Sequence, residues 1–216
     1  MSKYQAYRSR VQASGKTSGE SLRNSTKIQQ ADYFMSSPSL SYVRLNNEES
    51  LSPSIVSDEN RFLKRRFLFL PDTVIKNGMY IEHDNFIYLI TESTTDDIYP
   101  QAFAEICNDT FKVVTGTKKV EIDRDDFNRP IHEYIEEYKL VHCVLTTKAY
   151  STAENAAIPL PDGTMLIKIP YNPNCKVSLN YLIEKREQKF KVTNVSYENV
   201  LNEIGYIEIT LQRVVK

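Results

Sequence analysis

Apolar and polar residues alternate with the two-residue period of β-strands along much of this chain, most sharply between residues 61 and 122. Phe67-Leu68-Phe69-Leu70 is a β-favouring apolar run that Pro71 ends. A turn-prone stretch closing on Asn77-Gly78 leads to residues 79–82, a polar His83-Asp84-Asn85 tip and the apolar run 86–90. Two β-rich runs about a short Asp/Asn tip predict a hairpin, and the hairpin predicts the core of a small β-barrel or sandwich. Residues 101–107, an Asn108-Asp109 turn and residues 110–115 extend it as a meander, although Tyr99, Ala102, Phe103 and Ile106 also fit helical spacing. Gly116-Thr117 then turns the chain into 118–122. After Pro130, Ile131, Tyr134, Ile135 and Tyr138 recur at i, i+3, i+4 and i+7. That spacing predicts a short helix over 131–138, laid on the sheet with its stripe in the core.

Further along, residues 140–145 and 165–169 read as strands around a loop at 151–162, and 205–215 alternates with Ile207, Ile209 and Leu211 on one face. EHDNFIYLIT (82–91) and EKREQKFKVT (184–193) align without a gap, placing Ile81 on Ile183, Tyr88 on Phe190, Ile90 on Val192 and Thr91 on Thr193. Upstream, LFLP ending at Pro71 corresponds to IKIP ending at Pro170, with a connection three residues longer in the second copy. This similarity predicts two related β-modules, or two halves of one barrel, in tandem. The expected fold is therefore mainly β: an extended N-terminal arm (1–60), a first β-rich module with the short helix (61–138) and a second β-rich module (139–216).

Composition sets the first sixty residues apart. Ser, Gln, Asn and Thr dominate, large aliphatics are scattered, and such a segment cannot bury enough apolar surface to offset its ordering cost. Residues 1–30 carry six basic side chains (Lys3, Arg8, Arg10, Lys16, Arg23, Lys27) against Glu20, whereas 31–60 carry Arg44 against five acidic ones. The segment reads either as a solvated disordered tail or, since scattered anchors such as Tyr4, Tyr7, Tyr33, Phe34 and Tyr42 give a partner something to bury, as an arm that orders on a neighbouring subunit, with Arg8, Arg10, Lys16, Arg23 and Lys27 as its candidate partner- or DNA-facing residues. The whole chain has a net charge of −1, so any basic surface is local.

Candidate chemistry is sparse. Ser14-Gly15-Lys16-Thr17 resembles the end of a phosphate loop, but Arg10 stands where the required glycine would be, and residues 20–30 offer no helix with an apolar stripe. Asp123, Asp125 and Asp126 lack the glycine and closing glutamate of a calcium loop. Cys107, Cys143 and Cys175 are widely spaced and odd in number, which fits reduced structural thiols. His142 and Cys143 are neighbours on a strand and point to opposite faces, so a hydrolase built on that pair is disfavoured. No catalytic residue, metal or cofactor is expected. Neither a membrane-spanning run nor a secretory leader is expected either. Lys64-Arg65-Arg66, between two apolar pairs, reads as a solvated bend or edge; it is also a candidate basic patch beside Tyr80, Phe86 and Tyr88, as a single-stranded nucleic-acid-binding β-barrel would need.

The order of parts resembles the head-closure, or head–tail connector "stopper", proteins of tailed bacteriophages. The features are the basic polar arm with Ser14-Gly15-Lys16, SPSLSYVRLNN (37–47), KRRFLFLP, the NGMYIEHDNFIYLIT hairpin, AFAEICND and the terminal module from IPYN (169–172) to EITLQ. The resemblance implies a non-enzymatic neck protein of the virion, assembled in the host bacterial cytoplasm. It implies a homo-oligomeric ring, a hexamer or a dodecamer, between portal and adaptor proteins and the tail terminator or tube, holding packaged double-stranded DNA. Another tail-completion or baseplate component is the alternative.

Overall fold

The computed structural model describes residue 7 and residues 15–214, apart from 47, 59–62, 95, 97, 125–126, 128, 148–163 and 186. The expected loop at 151–162, Arg8 and Arg10 lie outside the described residues. A helix, α1 (Ser18–Met35), comes first. Six strands follow: β1 (Leu40–Leu45), β2 (Leu51–Asp58), β3 (Lys64–Phe69), β4 (Tyr80–His83), β5 (Phe86–Ser93) and β6 (Gln101–Ile106). They close into an antiparallel barrel in the order β1-β2-β3-β6-β5-β4. The remaining strands are β7 (Asp109–Arg124), β8 (Pro130–Thr146), β9 (Thr164–Pro170), β10 (Leu182–Lys185), β11 (Gln188–Ser196), β12 (Val200–Leu201) and β13 (Ile204–Arg213). Their sheet runs β7-β8-β9-β13-β11-β10, with β12 paired to β13, so the second unit repeats the strand order of the first.

Register confirms the repeat residue by residue. Ile81 pairs with Tyr88 and Ile183 with Phe190. The amide of Gly78 donates to the Ile90 carbonyl and that of Ile90 to Met79; Asn180, Val192 and Tyr181 make the same two bonds. Both copies shift register at the matching threonine, between Ile90 and Glu92 and between Val192 and Asn194. The Thr91 hydroxyl donates to the Phe103 carbonyl and the Thr193 hydroxyl to that of Thr210. One detail differs from the sequence alignment. Phe67 pairs with Ala102 and Ile167 with Ile209, which makes Phe67 and Phe69 the counterparts of Ile167 and Ile169. Pro71 and Pro170 are thus one residue out of step, and the second connection is about two residues longer rather than three.

The two cores fill the same space with different volumes. The first sets the large rings Phe67 and Tyr88 against Ala102 and Ala104; the second sets the smaller Ile167 against Ile209 and Leu211, and puts Phe111 where the first has Val43. Both cores keep a buried ring at one matching position, Tyr88 and Phe190.

Several expectations are corrected. The barrel starts at Leu40, so β1 and β2 belong to it and not to an arm; Val43 and Leu45 are buried despite their serine-rich surroundings. Residues 107–108 join the two units instead of turning a meander, because β6 pairs with β3 and β5 while β7 pairs with β8. Gly116 lies within β7 beside a register shift and turns nothing. Residues 131–138 are strand, not helix, and Ile131, Tyr134, Ile135 and Tyr138 are exposed, not core. β-branched and aromatic residues favour the extended form, and the partner strand satisfies their backbone groups. The helix lies instead at 18–35, where none was expected. The Thr17 hydroxyl accepts from the Glu20 amide and the Glu20 carboxylate accepts from the Thr17 amide, a capping box that starts α1 without an apolar stripe. Phe34 is its buried residue, and Lys27 ties it to Asp72 at 2.5 Å.

Candidate assembly interface

Beyond the Val114–Tyr138 pair, β7 and β8 leave the second unit as a two-stranded ribbon running to the Arg124–Pro130 pair. Its side chains face solvent on both sides: Tyr134 is 69% exposed and Phe127, at its end, 79%. Among the described residues, the first unit has no equivalent. There, Asn46 takes the left-handed conformation (φ 48°) and ends β1. Its amide donates to the Tyr80 carbonyl and its side-chain oxygen accepts from the Tyr80 amide, each at 2.9 Å. Arg44 and Leu45 then pair with Glu82 and Ile81 and close the barrel. By register the counterpart of Asn46 is Val114, a β-branched residue that carries the strand onward. Among the described residues, β7 consequently meets the far edge through a bridge to Lys176 and through Lys185, whose ammonium donates to Asp109 (2.8 Å) and to the Thr110 carbonyl. A cleft of about 190 Å³ remains between Phe111, Val114, Val177 and Tyr181.

The two units meet at a third apolar cluster, Leu89, Val144 and Tyr206, flanked by Tyr80 and Cys107. The Tyr80 hydroxyl donates to the His142 carbonyl at 2.5 Å. Gly78 (φ 82°) lies so close to Gly205 that a Cβ there would run into the Gly205 carbonyl. Nearby, the Glu105 carboxylate accepts from Lys168 of the second unit (3.1 Å to each oxygen) and from Lys64 (2.9 Å). Burial alone would raise the Glu105 pKa; the two ammonium groups outweigh it and hold the carboxyl below its usual range. Burial pushes the Cys107 and Cys143 thiols up to about 12, which leaves both as unreactive packing groups. All three cysteines are free thiols.

The predicted site residues fall in different places. Lys64, Arg65 and Arg66 are on β3, a central strand of the barrel and not an edge or bend. Lys64 pairs with Glu105, Arg66 donates to Gln101 and lies over the Phe103 ring, and Arg65 turns inward over the Tyr88 ring. Of the three aromatics considered for base stacking, Tyr88 is buried, Tyr80 is engaged at the seam and Phe86 is half exposed at the hairpin tip. Lys16 stands just ahead of the Thr17 cap, Arg23 and Lys27 lie on α1, and Lys27 is taken up by Asp72. As expected, His142 and Cys143 point apart, one exposed and one buried.

His83, a polar tip residue by sequence, has a ring that is 7% exposed and lies inside the barrel, edge-on to Phe67. Its Nε2 is 2.8 Å from Ser41 Oγ, and Asp84 Oδ2 is 3.3 Å from its Nδ1. The spacing resembles a nucleophile, base and orienting acid. Arg65, however, donates to Nδ1 at 3.0 Å. A guanidinium has no lone pair to offer, so Nδ1 is the acceptor and Nε2 carries the hydrogen. That ring donates to Ser41 and is not placed to take its proton.

The fold defines a tandem β-barrel protein, one barrel closed and the other open at one seam and extended into a ribbon. Residues 109–212 match the model of the YomX C-terminal domain family, a span that coincides with the second unit. The chain is 23% identical over 145 residues to the SPbeta prophage-derived uncharacterized protein YomX of Bacillus subtilis (strain 168), covering 65% of this chain and 67% of that protein. No solved structure matches. These matches indicate a phage-derived protein.

Proposed function

We propose that this chain is a structural part of the phage neck, a head-completion or stopper subunit that joins portal and adaptor to the tail and retains packaged DNA. One observation carries the reading: a two-stranded ribbon with exposed Ile122, Ile131, Tyr134 and Ile135 projects from a unit that is otherwise packed like its neighbour. Two strands alone are marginal in water, so a neighbouring chain that covers the ribbon stabilises it while gaining apolar contact. The seam between the units supports the same role. Glycine contact, apolar cluster and ion pair together make a stiff two-barrel block, the kind of part from which a closed ring is built by head-to-tail contacts. The role is non-enzymatic, and its setting is the virion.

The test is to delete the gene from the phage that encodes it and image the particles. The expected product is DNA-filled or leaking heads without tails, and native particles should show the chain as a ring at the head–tail junction. Normally tailed, infectious particles at native yield would refute the proposal; a defect confined to the distal end of the tail would move the protein to the baseplate.

A further inference from the structure

The ribbon has two unlike faces, and the one continuous with the barrel interior alternates apolar and acidic. Along β8, Ile131, Glu133, Ile135 and Glu137 share that face, joined across the ribbon by Val120 and Lys118. Ile131 is 43% and Ile135 48% exposed. By sequence the ribbon and its tip, residues 116–137, hold four basic side chains against seven acidic ones, a net charge of −3. At the other end of the chain, the residues ahead of α1 hold Lys3, Arg8, Arg10 and Lys16 with no acidic residue, together with Tyr4, Tyr7 and Val11. The two segments are complementary in charge and in apolar content. They spring from different units, since α1 is tied to the first unit by the Lys27–Asp72 pair and leads directly into β1, while the ribbon leaves the second. Sixteen residues reach at most about 55 Å when extended, enough to cross to an adjacent molecule.

We infer that residues 1–16 of one copy lie across the Ile131–Glu137 face of the ribbon of the next copy, as the contact that links subunits in series. The inference rests on the reading of the chain as an assembling part and names the surface involved. A segment laid on a two-stranded ribbon gives its apolar residues Ile131 and Ile135 to cover and its cations Glu133 and Glu137 to approach. Every copy then offers one arm and one ribbon, which makes the contact heterologous and able to propagate around a ring.

The experiment uses the full chain and two charge-reversed variants, Lys3→Glu/Arg8→Glu/Arg10→Glu in the arm and Glu133→Lys/Glu137→Lys on the ribbon, with mass measured in solution at low and at high salt. The native chain should form a discrete oligomer that weakens as salt rises. Each variant alone should remain a monomer, with its circular dichroism and melting curve unchanged to show that it folds. An equimolar mixture should recover the native assembly, because the acidic arm of one variant meets the basic ribbon of the other in alternation. Three outcomes overturn the inference. A mixture that stays monomeric shows that arm and ribbon are not each other's partner. Variants that assemble as well as the native chain place the contact elsewhere. A native chain that is monomeric at high concentration and low salt leaves the ribbon to a different protein. None of these touches the position of the chain in the particle, which imaging decides separately.

Discussion

The two barrels share a strand order, a hairpin register and even a bulged threonine, yet one is sealed and the other is not. The difference traces to a single register position. Asn46 accepts a left-handed backbone and returns its polar groups to Tyr80, which ends β1 and lets it meet β4. Val114, its counterpart, keeps the backbone extended, and β7 runs on with β8 into the ribbon. Cores alike in shape can thus present quite different edges. Strand order and register are shared within the repeat, while the exposed edge differs with where one strand stops.

The largest expected effects test whether the cores are equivalent. Tyr88→Ala and Phe190→Ala each remove a fully buried ring from the matching position and should each cost about 3–5 kcal/mol in chemical denaturation. If the second tolerates truncation far better than the first, the open barrel is the looser of the two. Gly78→Ala comes next, with a strained positive φ and a clash against the Gly205 backbone; a loss of about 3 kcal/mol is expected, with the units separating in limited proteolysis.

Glu105→Gln leaves Lys168 without its counter-charge and should cost about 2 kcal/mol near neutral pH. The sign with pH follows from a folded pKa below the unfolded one. The carboxylate's contribution is complete above the usual carboxylate range and is lost as pH falls through the folded value, so native and Gln variant should converge in acid. A native-minus-variant stability difference that is flat from neutral to acid would show that the ion pair does not hold the seam.

Closing the two seams is expected to matter less. Asn46→Ala should cost about 1–2 kcal/mol by removing the bond to the Tyr80 amide, and Asp109→Asn about 1 kcal/mol by weakening the Lys185 contact, both read from urea midpoints. The smallest effect belongs to the ribbon: Ile131→Ser with Ile135→Ser should change stability by less than about 0.5 kcal/mol, because neither is in a core, while reducing self-association.

Much of this architecture was legible in alternation alone. The β4–β5 hairpin, the tandem match of 82–91 to 184–193 and the buried face of Ile207, Ile209 and Leu211 all appear as the sequence pattern implies. The capping box Thr17-Ser18-Gly19-Glu20 is a readable signal for α1, although no apolar stripe accompanies it. The ribbon was harder to read. Ile131, Tyr134, Ile135 and Tyr138 satisfy helical spacing as well as a strand, and periodicity cannot tell an exposed stripe from a buried one. For the same reason His83 looked like a tip residue, since only the closed barrel turns its ring inward.

Local chemistry by itself determined that this chain makes strands, where its hairpins turn and that one hairpin is repeated, because alternation, turn residues and caps act within a few residues of one another. Tertiary structure alone decided that β1 meets β4 while β7 does not meet β10, that Glu105 is clasped between units, and that the tyrosine and isoleucine stripe stays in water. Those outcomes depend on contacts between residues far apart in sequence, and no short window of the chain contains both partners.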